Sequence, residues 1–327
     1  MSMIVTVTPN PSIDRTVSLG TSLVRGAVHR VTSATSEPGG KGVNVARALS
    51  LAGLDAVAVL PAADDDAMVT ALRAAGVTFR TVPVGGVVRT NLAITEADGT
   101  TTKLNEPGAA LDAAALDALT HTVLSYAETA SWIVLSGSLP PGVPDDWYAD
   151  VVARLASAPC HLAVDTSERP LDALAAGFGT AAPDLIKPNA EELAGLVGAS
   201  PQDLEDAVAQ GDPSPVISAA SQLIERGAKT ILVTLGAAGA VLVDPTGSWM
   251  AAPPPVTPRS TVGAGDSSLA GYVRAAVGGA EPPRRLQMAV AYGSAAAALP
   301  GSALPAPSQV DVNAVHVFSI TPSAVRP

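Results

Sequence analysis

The sequence predicts an α/β fold in which helices cover a mostly parallel β-sheet and a small second β-sheet forms a lid. Short apolar runs typical of buried strands alternate with helical stretches along most of the 327 residues, an alternation that gives a parallel sheet between layers of helices. Polar or glycine-containing motifs follow several predicted strands, at the sheet edge where α/β proteins bind ligands. Residues approximately 16–36 and 89–105 interrupt the alternation and have the pattern of β ribbons, which we expect to form the lid.

The predicted core strands are short apolar runs that stop at proline, glycine or a polar residue. Pro9 ends the first run because proline cannot donate to a strand ladder, and Gly137 ends a later one. The predicted strands are 4–8, 57–60, 132–136, 161–164, 185–187, 230–234 and 240–243. Ala97-Asp98-Gly99 is a turn that joins 91–95 to 101–105 in a hairpin.

The predicted helices have apolar residues three or four positions apart, and Gly53 is a typical residue after a helix end. They are 42–51, 66–75, 112–127, 146–156, a helix that follows Asn189, 218–226, 268–277 and 283–298. No repeat or linker divides the chain, so we expect residues 1–327 to form one domain with its lid.

Composition excludes several classes of function. The net charge of -11 argues against a nucleic-acid partner, because such proteins need a basic surface. The single cysteine, Cys160, excludes a disulfide framework and a cysteine zinc site. No apolar run reaches the roughly 18 residues of a membrane span, and the first residues lack the basic region of a signal peptide. We therefore expect a cytoplasmic protein that has no membrane partner.

The segment Ser260 to Ser267 is the most informative motif. Its glycines, Gly263 and Gly265, let backbone N–H groups approach a ligand closely, and the helix that follows adds a positive dipole end. Together they predict an anion site. Asp266 lies inside it, where a carboxylate would repel an anion unless it served as a general base for an attacking hydroxyl. The alternative is an ordinary helix start with an acidic residue in its first turn.

A second glycine motif precedes the first predicted helix. Gly39 and Gly40 would let backbone N–H groups touch a ligand, while Lys41 and Asn44 would bond its oxygens. The motif is not a P-loop, because glycine follows the lysine where a P-loop has serine or threonine. Asp14, after the first predicted strand, could accept hydrogen bonds from two sugar hydroxyls. The alternatives are a glycine-rich turn without a ligand for the motif, and an acidic residue that only stabilises a turn for Asp14.

Arg89 and Lys103 are two cations on the predicted lid, and they suit a phosphate that the substrate already carries. Charges that protect an exposed sheet edge explain the same residues. Asn189 and Glu192 lie three positions apart in the first turn of a helix and could hold Mg²⁺ through water. A helix capping motif explains that pair almost equally well. The turn from Thr234 to Gly239 could hold nucleotide phosphates or ribose.

Taken together, the two glycine motifs resemble the two signatures of the PfkB (ribokinase-like) family of carbohydrate kinases. The matching residues are 37–46 and 261–267. Three more segments resemble the branch that contains 1-phosphofructokinase, tagatose-6-phosphate kinase and the minor 6-phosphofructokinase. They are 10–14, 136–142 and 187–192. The resemblance runs in order from Met3 to about Leu299.

The resemblance implies a ribokinase-like, three-layer Rossmann-like core with a β lid, and transfer of a phosphoryl group from ATP, with Mg²⁺, to a hydroxyl of a sugar phosphate. It assigns Asp266 as the base and Gly263, Ala264 and Gly265 as the anion hole. The sugar side comprises Asp14, Gly40, Lys41 and Asn44, with Arg89, Lys103 and Ser138 near the existing phosphate. The ATP–Mg side comprises Lys187, Asn189, Glu192, Thr234, Gly236 and Gly239, with Ser294 near the adenine. One departure is His29, where the branch often has asparagine.

The substrate that we expect first is fructose 1-phosphate, which the reaction would convert to fructose 1,6-bisphosphate. The same residues would serve fructose 6-phosphate or tagatose 6-phosphate, because each presents a phosphate and a free primary hydroxyl on a ketohexose. Arg89 and Lys103 argue against an unphosphorylated sugar or a nucleoside. Asp266 argues against a sensor of sugar phosphates that has no catalytic activity.

The lid also predicts an assembly. A bare β ribbon is only marginally stable in water, so the apolar face of the lid needs a partner. A second lid related by two-fold symmetry is the simplest partner, and it makes the protein a homodimer. Such a dimer would bring Arg30 of one chain near the site of its neighbour.

Overall fold

The computed structural model describes residues 2–320 and contains two sheets. The strands are β1 Met3–Val7, β2 Ser12–Leu19, β3 Val31–Gly39, β4 Ala56–Pro61, β5 Thr78–Val82, β6 Arg89–Thr95, β7 Thr101–Asn105, β8 Ala130–Ser136, β9 His161–Asp165, β10 Leu185–Ile186, β11 Ile231–Thr234, β12 Ala240–Asp244, β13 Gly247–Ala252 and β14 His316–Ser319. Most predicted strands lie within one or two residues of these bounds. The predicted domain of residues 1–327 also includes residue 1 and residues 321–327, which lie outside the described residues.

Helices cover the larger sheet. They are α1 Lys41–Leu51, α2 Ala67–Ala74, α3 Ala113–Leu124, α4 Trp147–Arg154, α5 Glu168–Ala176, α6 Ala190–Val197, α7 Pro201–Ala209, α8 Ser214–Glu225, α9 Ala264–Val277 and α10 Pro282–Ala297. The sequence patterns did not indicate β5, β13, α5 or α7. Between residues 2 and 320, none of the helices combines the length and the apolar character needed to cross a bilayer.

The larger sheet has the order β14-β13-β12-β11-β10-β9-β8-β1-β4-β5. The strands from β11 to β5 are parallel, and β12, β13 and β14 add an antiparallel edge. Successive side chains of β1 point to opposite faces: Ile4 packs in the cluster that contains α1, α9 and α10, and Val5 packs in the cluster that contains α3 to α8. The mostly parallel sheet with helices on both faces confirms the predicted fold class.

The second sheet has four strands in the order β3-β2-β6-β7. It begins at Ser12 and its second strand extends to Gly39, so it reaches beyond the predicted range of 16–36 at both ends. Asp14 therefore lies on β2 of this small sheet and not at the end of a core strand. Only the segment 8–11 separates β1 from β2, and Gly40 alone separates β3 from α1. These short connections fix the small sheet above the carboxyl edge of the larger one.

Helices α9 and α10 pack closely because glycine stands at their contact. A Cβ placed on Gly271 would lie 2.5 Å from the carbonyl oxygen of Met288 on α10, and a backbone atom cannot move aside cheaply. This contact matters for function because α9 begins at the predicted anion site.

We expect Gly271→Ala to lower the free energy of unfolding by about 1–3 kcal/mol, because the helices must separate. Gly195→Ala, within α6, is the matched control: a Cβ there meets nothing within 4 Å, so it should stabilise the protein by about 0.4–1 kcal/mol. Urea denaturation of both variants measures the two effects. Equal effects of the same sign would contradict this account of the α9–α10 contact.

Candidate active site

The predicted site residues converge at the carboxyl edge of the larger sheet, below the small sheet. Strands β1, β8 and β9 end there, and helices α1 and α9 begin there. Asn44 of α1 and Asp266 of α9 are 222 positions apart in the chain, yet the Asn44 Nδ2 donates a hydrogen bond of 2.9 Å to the Asp266 Oδ2. The fold therefore joins the two glycine motifs into one site.

Asp266 is the third residue of α9 and is only 8 % exposed. Gly263 precedes the helix with a φ of 75°, a left-handed conformation that favours glycine, and Ala264 and Gly265 form the first turn. Burial is the main cause that raises the pKa of Asp266 to about 6, and the nearby Asp165 adds to it. Lys41, Asn44 and Lys187 act in the opposite direction. A carboxyl with this pKa is ionised at neutral pH and can accept a proton.

A second buried carboxylate, Asp165, organises the lysines. The Lys41 Nζ lies 2.9 Å from the Asp165 Oδ1, and the Lys187 Nζ lies 3.2 Å from the Oδ2. Burial by itself raises the pKa of Asp165, but Lys187 and Lys41 outweigh it and hold that pKa below its ordinary value. Burial alone would lower the pKa of Lys41, but Asp165 and Asp266 raise it well above the usual range.

Lys187 lies directly beside the start of α9. A Cβ placed on Gly265 would be 3.4 Å from the Lys187 Nζ, so the ammonium group is next to the backbone of the predicted anion hole. Lys187 is 6 % exposed. The site thus combines the N–H groups of a helix start with a buried cation, an arrangement suited to an anion that carries several charges.

Asp14 and the first glycine motif also meet. The Ser12 Oγ donates to the Asp14 Oδ1 at 2.7 Å, and the Asn91 Nδ2 donates to the same oxygen at 3.1 Å. Burial raises the pKa of Asp14, and these hydrogen bonds offset the effect only in part. A Cβ on Gly39 would collide with the Asp14 carboxylate, and Gly40 has a φ of 103°, so glycine is needed at both positions.

Arg89 and Ser138 come together through Asn10. The Arg89 guanidinium donates to the carbonyl oxygens of Glu106 (2.9 Å) and Asn10 (3.3 Å), and the Asn10 side chain donates to the Ser138 Oγ at 3.3 Å. Burial is the main cause that lowers the pKa of Arg89 from its ordinary value. These three residues form a connected polar group, and the charge of Arg89 acts on the nearby Asp14 to lower its pKa.

Lys103 and Arg30 do not belong to the group of residues around Arg89. Lys103 pairs with Ala93 on β6, four residues along that strand from Arg89, which is about 13 Å at the usual rise. Lys103 and Asp14 line the same open cleft of about 780 Å³, which lies between the small sheet and the loops around Arg259 and Ser302. Arg30 is exposed just before β3. In this structure neither cation joins Arg89.

The residues predicted for the nucleotide side form one group at the ends of β10 and β11. The backbone N–H of Thr234 donates to the Pro188 carbonyl at 3.0 Å, next to Asn189. Gly236 and Gly239 have positive φ values, and a Cβ on Gly239 would collide with the Ala251 carbonyl. Ser294 is half-buried on α10; its neighbour Gly293 allows that helix to approach the first turns of α9.

Asn189 and Glu192 form a reciprocal capping box. The Asn189 side chain accepts a hydrogen bond of 2.8 Å from the Glu192 N–H, and the Glu192 Oε2 accepts one of 2.8 Å from the Asn189 N–H. The capping interpretation therefore accounts for both residues, and their role toward Mg²⁺ stays a prediction. In the described part of the chain, no three His, Cys, Asp or Glu side chains group closely enough to hold a metal by themselves.

Sequence reasoning missed two residues of the site, Asp165 and Asn10. Asp165 follows a predicted buried strand, and a carboxylate in that position at the ligand edge was a usable signal. Its pairing with two lysines, 124 and 22 positions away, had no sequence signal. Asn10 lies in the segment 10–14, but its pattern does not distinguish a role for Asn10 from that of its neighbours.

Comparison with known proteins identifies the class to which this fold and site belong. The model of the pfkB family of carbohydrate kinases matches residues 8–309. The chain therefore belongs to this family, as its motifs predicted. It is a phosphotransferase that acts on a sugar hydroxyl.

Individual proteins that are similar to this chain are phosphofructokinases. The chain is 36 % identical over 274 residues to a 1-phosphofructokinase of Xanthomonas campestris, covering 83 % of each chain. It is 34 % identical to the ATP-dependent 6-phosphofructokinase isozyme 2 of Escherichia coli, covering 93 % of this chain and 95 % of the relative. The crystal structure of phosphofructokinase-2 from Escherichia coli in complex with substrates and products has a TM-score of 0.84 at 33 % identity, covering 94 % and 96 % of the two chains.

The raised pKa of Asp266 predicts a pH-dependent gain of stability in Asp266→Asn. Since the folded pKa of about 6 exceeds the ordinary value of 3.8, the wild-type carboxyl favours folding below pH 3.8, and this contribution is lost as the pH rises through 6. The amide cannot ionise, so above pH 6 the free energy of unfolding of the variant should exceed that of the wild type by about 1–3 kcal/mol, and its unfolding temperature should be higher. The difference should vanish near pH 4.

Thermal unfolding from pH 4 to pH 8 measures this difference. Asp212→Asn is the control, because hydrogen bonds that this surface carboxyl accepts from Ser214 lower its pKa, and its replacement should give no gain at any pH. If Asp266→Asn shows the same difference at pH 4 and pH 8, the burial of a charged Asp266 is not costly and the argument fails.

Proposed function

We propose that this protein transfers the terminal phosphoryl group of ATP to the 6-hydroxyl of fructose 1-phosphate and so forms fructose 1,6-bisphosphate. The observation that carries the proposal is the buried Asp266 at the start of α9, with its pKa of about 6, beside Lys41 and Lys187. The names of relatives near 35 % identity support the choice of a phosphofructokinase.

Asp266 acts as the general base that takes the proton of the attacking sugar hydroxyl. The N–H groups of Gly263, Ala264 and Gly265 face the negative charge that develops on the transferred phosphoryl group. Lys187, beside Gly265, adds a positive charge at the same place. Phosphoryl transfer needs little covalent help from the protein, so positioning and charge stabilisation supply most of the catalysis.

The sugar lies between the small sheet and α1. Asp14 accepts hydrogen bonds from sugar hydroxyls, the backbone at Gly39 and Gly40 allows a close approach, and Lys41 and Asn44 bond the remaining oxygens. The Asn44 amide also holds Asp266, so one residue would align the sugar with the base.

The phosphate already on the sugar binds in the pocket of Arg89 and Ser138. Arg89 offers a half-buried guanidinium whose Nε is the one buried nitrogen of that group without a partner among residues 2–320, and a phosphate oxygen would satisfy it. Lys103 lines the same cleft as Asp14, farther along the small sheet than Arg89, and would reach the sugar phosphate only when that sheet closes as a lid.

The nucleotide lies along the ends of β10 and β11. The positive φ values at Gly236 and Gly239 give backbone N–H groups access to it, with Thr234 on one side and Ser294 near the adenine. Asn189 and Glu192 suit Mg²⁺, because this ion takes one or two protein oxygens through water and the rest from phosphates. Their capping hydrogen bonds occupy one lone pair of each side chain and leave the others free. The ion would neutralise the charge of the phosphates.

Fructose 6-phosphate and tagatose 6-phosphate remain alternative substrates, and the identity of 34 % to a 6-phosphofructokinase isozyme supports the first of them. A sensor without catalytic activity is the alternative of another class. It has no use for a buried carboxylate inside an anion site, where it would only weaken binding. We also propose a cytoplasmic location, which suits the use of ATP and the free, buried Cys160.

We further propose a homodimer through the small sheet. The register places Val17, Leu92, Ile94 and Leu104 on one face of that sheet, opposite to the face of Asp14. Leu104 is 56 % exposed, and Val24, Val28 and Val31 in and after the β2–β3 loop are also exposed. A second copy of this face would cover these side chains.

A steady-state panel tests the proposed reaction. Fructose 1-phosphate, fructose 6-phosphate, tagatose 6-phosphate and free fructose are compared at fixed Mg-ATP. We expect the highest kcat/KM for fructose 1-phosphate and the lowest for fructose. A preference for free fructose would contradict the role of the Arg89 pocket, and no turnover with any sugar would favour the sensor.

A second prediction concerns the residues proposed to bind the phosphate of the sugar, Arg89 and Lys103. Arg89→Gln should raise the KM for the sugar phosphate about 10–150-fold, because a charge-assisted contact is lost, while the KM for ATP barely changes. Lys103→Gln should raise the same KM by a smaller factor, because Lys103 acts only in the closed state. Turnover of free fructose should be unchanged in both variants, and Arg80→Gln, on the exposed edge strand β5, is the control. An equal rise in both KM values would mean that Arg89 supports the fold and does not bind the sugar phosphate.

The dimer predicts exchange of Arg30 between subunits. Arg30→Gln and Asp266→Asn should each be impaired alone. After they are mixed and exchanged, the mixed dimer contains one complete site, so activity should rise to roughly a quarter of the wild-type value. Leu104→Lys should give monomers in light scattering, whereas Leu51→Lys, at an exposed leucine on α1, should not. A monomeric wild type with full activity would refute both the dimer and the shared role of Arg30.

A further inference from the structure

A small cavity lies at the amino edge of the larger sheet, away from the active site. Its volume is about 160 Å³. Trp132 and His161 line it near the starts of β8 and β9, and they pair in the sheet register. Asp165, in the active site, lies at the other end of β9, about 13 Å away at the usual rise per residue. The cavity is therefore a separate feature of the fold.

The floor of the cavity is aromatic and fixed. Trp132 and Tyr272 are 4 % and 2 % exposed, and their rings meet edge to face at 6.4 Å between centroids. The His161 ring lies 5.0 Å from that of Trp132 at the rim. Burial raises the pKa of Tyr272, and the neighbouring Arg285 and Thr230 side chains act in the opposite direction. A ligand here would meet a preformed surface.

The one carboxylate that lines the cavity, Asp184, is already engaged. Its Oδ2 accepts a hydrogen bond of 2.8 Å from the Leu162 N–H, and its Oδ1 lies 3.1 Å from the Lys229 Nζ. The His161 Nδ1 lies 3.6 Å from the same Oδ1. Asp184 and Lys229 therefore balance each other, and Asp184 is not free to neutralise a further cation.

Arg285 is the cation without a counter-charge. Its Nε donates to the Ala280 carbonyl at 2.6 Å, and its side chain lines the cavity together with Tyr272. Within residues 2–320, no carboxylate lies within 4.0 Å of its guanidinium. A half-buried guanidinium is costly unless an anion or ordered water faces it. This local excess of positive charge stands out in a chain of net charge -11.

We propose that this cavity binds a small oxyanion of the phosphate type, with Arg285 and Lys229 as its ligands. The cavity volume of about 160 Å³ is several times the roughly 30 Å³ of one water, so a tetrahedral oxyanion fits with space for ordered water. The planar guanidinium offers two parallel N–H groups to such an ion, and the ammonium adds a point charge. The ion is either free phosphate or the phosphate group of a small monoester.

Calorimetric titration of the full-length protein with inorganic phosphate tests the proposal, with chloride at equal ionic strength as the blank. Arg285→Gln should weaken one binding component at least about tenfold, and Lys229→Gln, at an exposed position, should weaken it too. Arg284→Gln is the matched control, because Arg284 is the neighbouring residue on α10 and contacts Gln287 instead. Lys41→Gln removes one cation from the active site, so it should weaken any phosphate component that belongs to that site and leave this component unchanged.

The outcomes are distinct. Loss in Arg285→Gln and Lys229→Gln but not in Arg284→Gln or Lys41→Gln supports the site, and a tungstate peak beside Arg285 in soaked crystals locates it. A parallel titration with methyl phosphate identifies the source: tighter binding of the monoester indicates a metabolite, and weaker binding indicates the free ion. If Arg284→Gln weakens binding as much as Arg285→Gln, or if the only phosphate component disappears in Lys41→Gln, the proposal is overturned.

Discussion

The ion pairs of Asp165 with Lys41 and Lys187 hold the site together. Without Asp165, the half-buried Lys41 and the buried Lys187 would repel each other, and a second carboxylate, Asp266, lies close to both. With Asp165 in place the four groups carry no net charge, so the cluster can be buried at the edge of the sheet. Without Asp165, the two lysines would face only Asp266, and the cluster would carry a net positive charge. The arrangement also determines the pKa of Asp266. Because the lysines pair with Asp165, Asp266 has no ion pair of its own that would lower its pKa, which is about 6.

The small sheet is coupled to this cluster by the backbone. Its strand β3 ends at Gly39 against the Asp14 carboxylate, and Gly40 turns the chain directly into α1, whose first residue is Lys41. A movement of the sheet would therefore act on the sugar-binding residues and on the start of α1 together. The sheet is thin and apolar on its outer face, which links the proposed closure of the lid to the proposed dimer: the same four strands present Asp14 and Arg89 to the site and their apolar residues to a partner.

Much of this could be predicted from sequence, and the limits have physical causes. Local signals were sufficient for α9, since a glycine turn before an apolar helical stretch marks both the helix start and the anion site. Strand β5 was missed because it is a partly exposed edge strand without a continuous apolar run. The pairing of Asn44 with Asp266 and of Asp165 with two lysines depends on the order of strands in the sheet, which no local pattern contains. For Asn189 and Glu192 the local pattern is present but ambiguous, because it suits both a helix cap and a metal ligand. The structure shows the cap.

The pH dependence of kcat at saturating substrates tests the central claim most directly, namely that Asp266 is a base tuned by its surroundings. Turnover should fall as the pH drops through about 6, and Asp266→Asn should lose about 10²–10⁴-fold in kcat. A phosphate group also titrates near pH 6, so the decisive comparison is with Asn44→Leu. This variant removes the hydrogen bond that lowers the pKa of Asp266 and should move the acidic limb to higher pH, whereas a titration of the substrate would not move. An unchanged limb in Asn44→Leu, or an Asp266→Asn enzyme that keeps more than half of its turnover, would contradict the account.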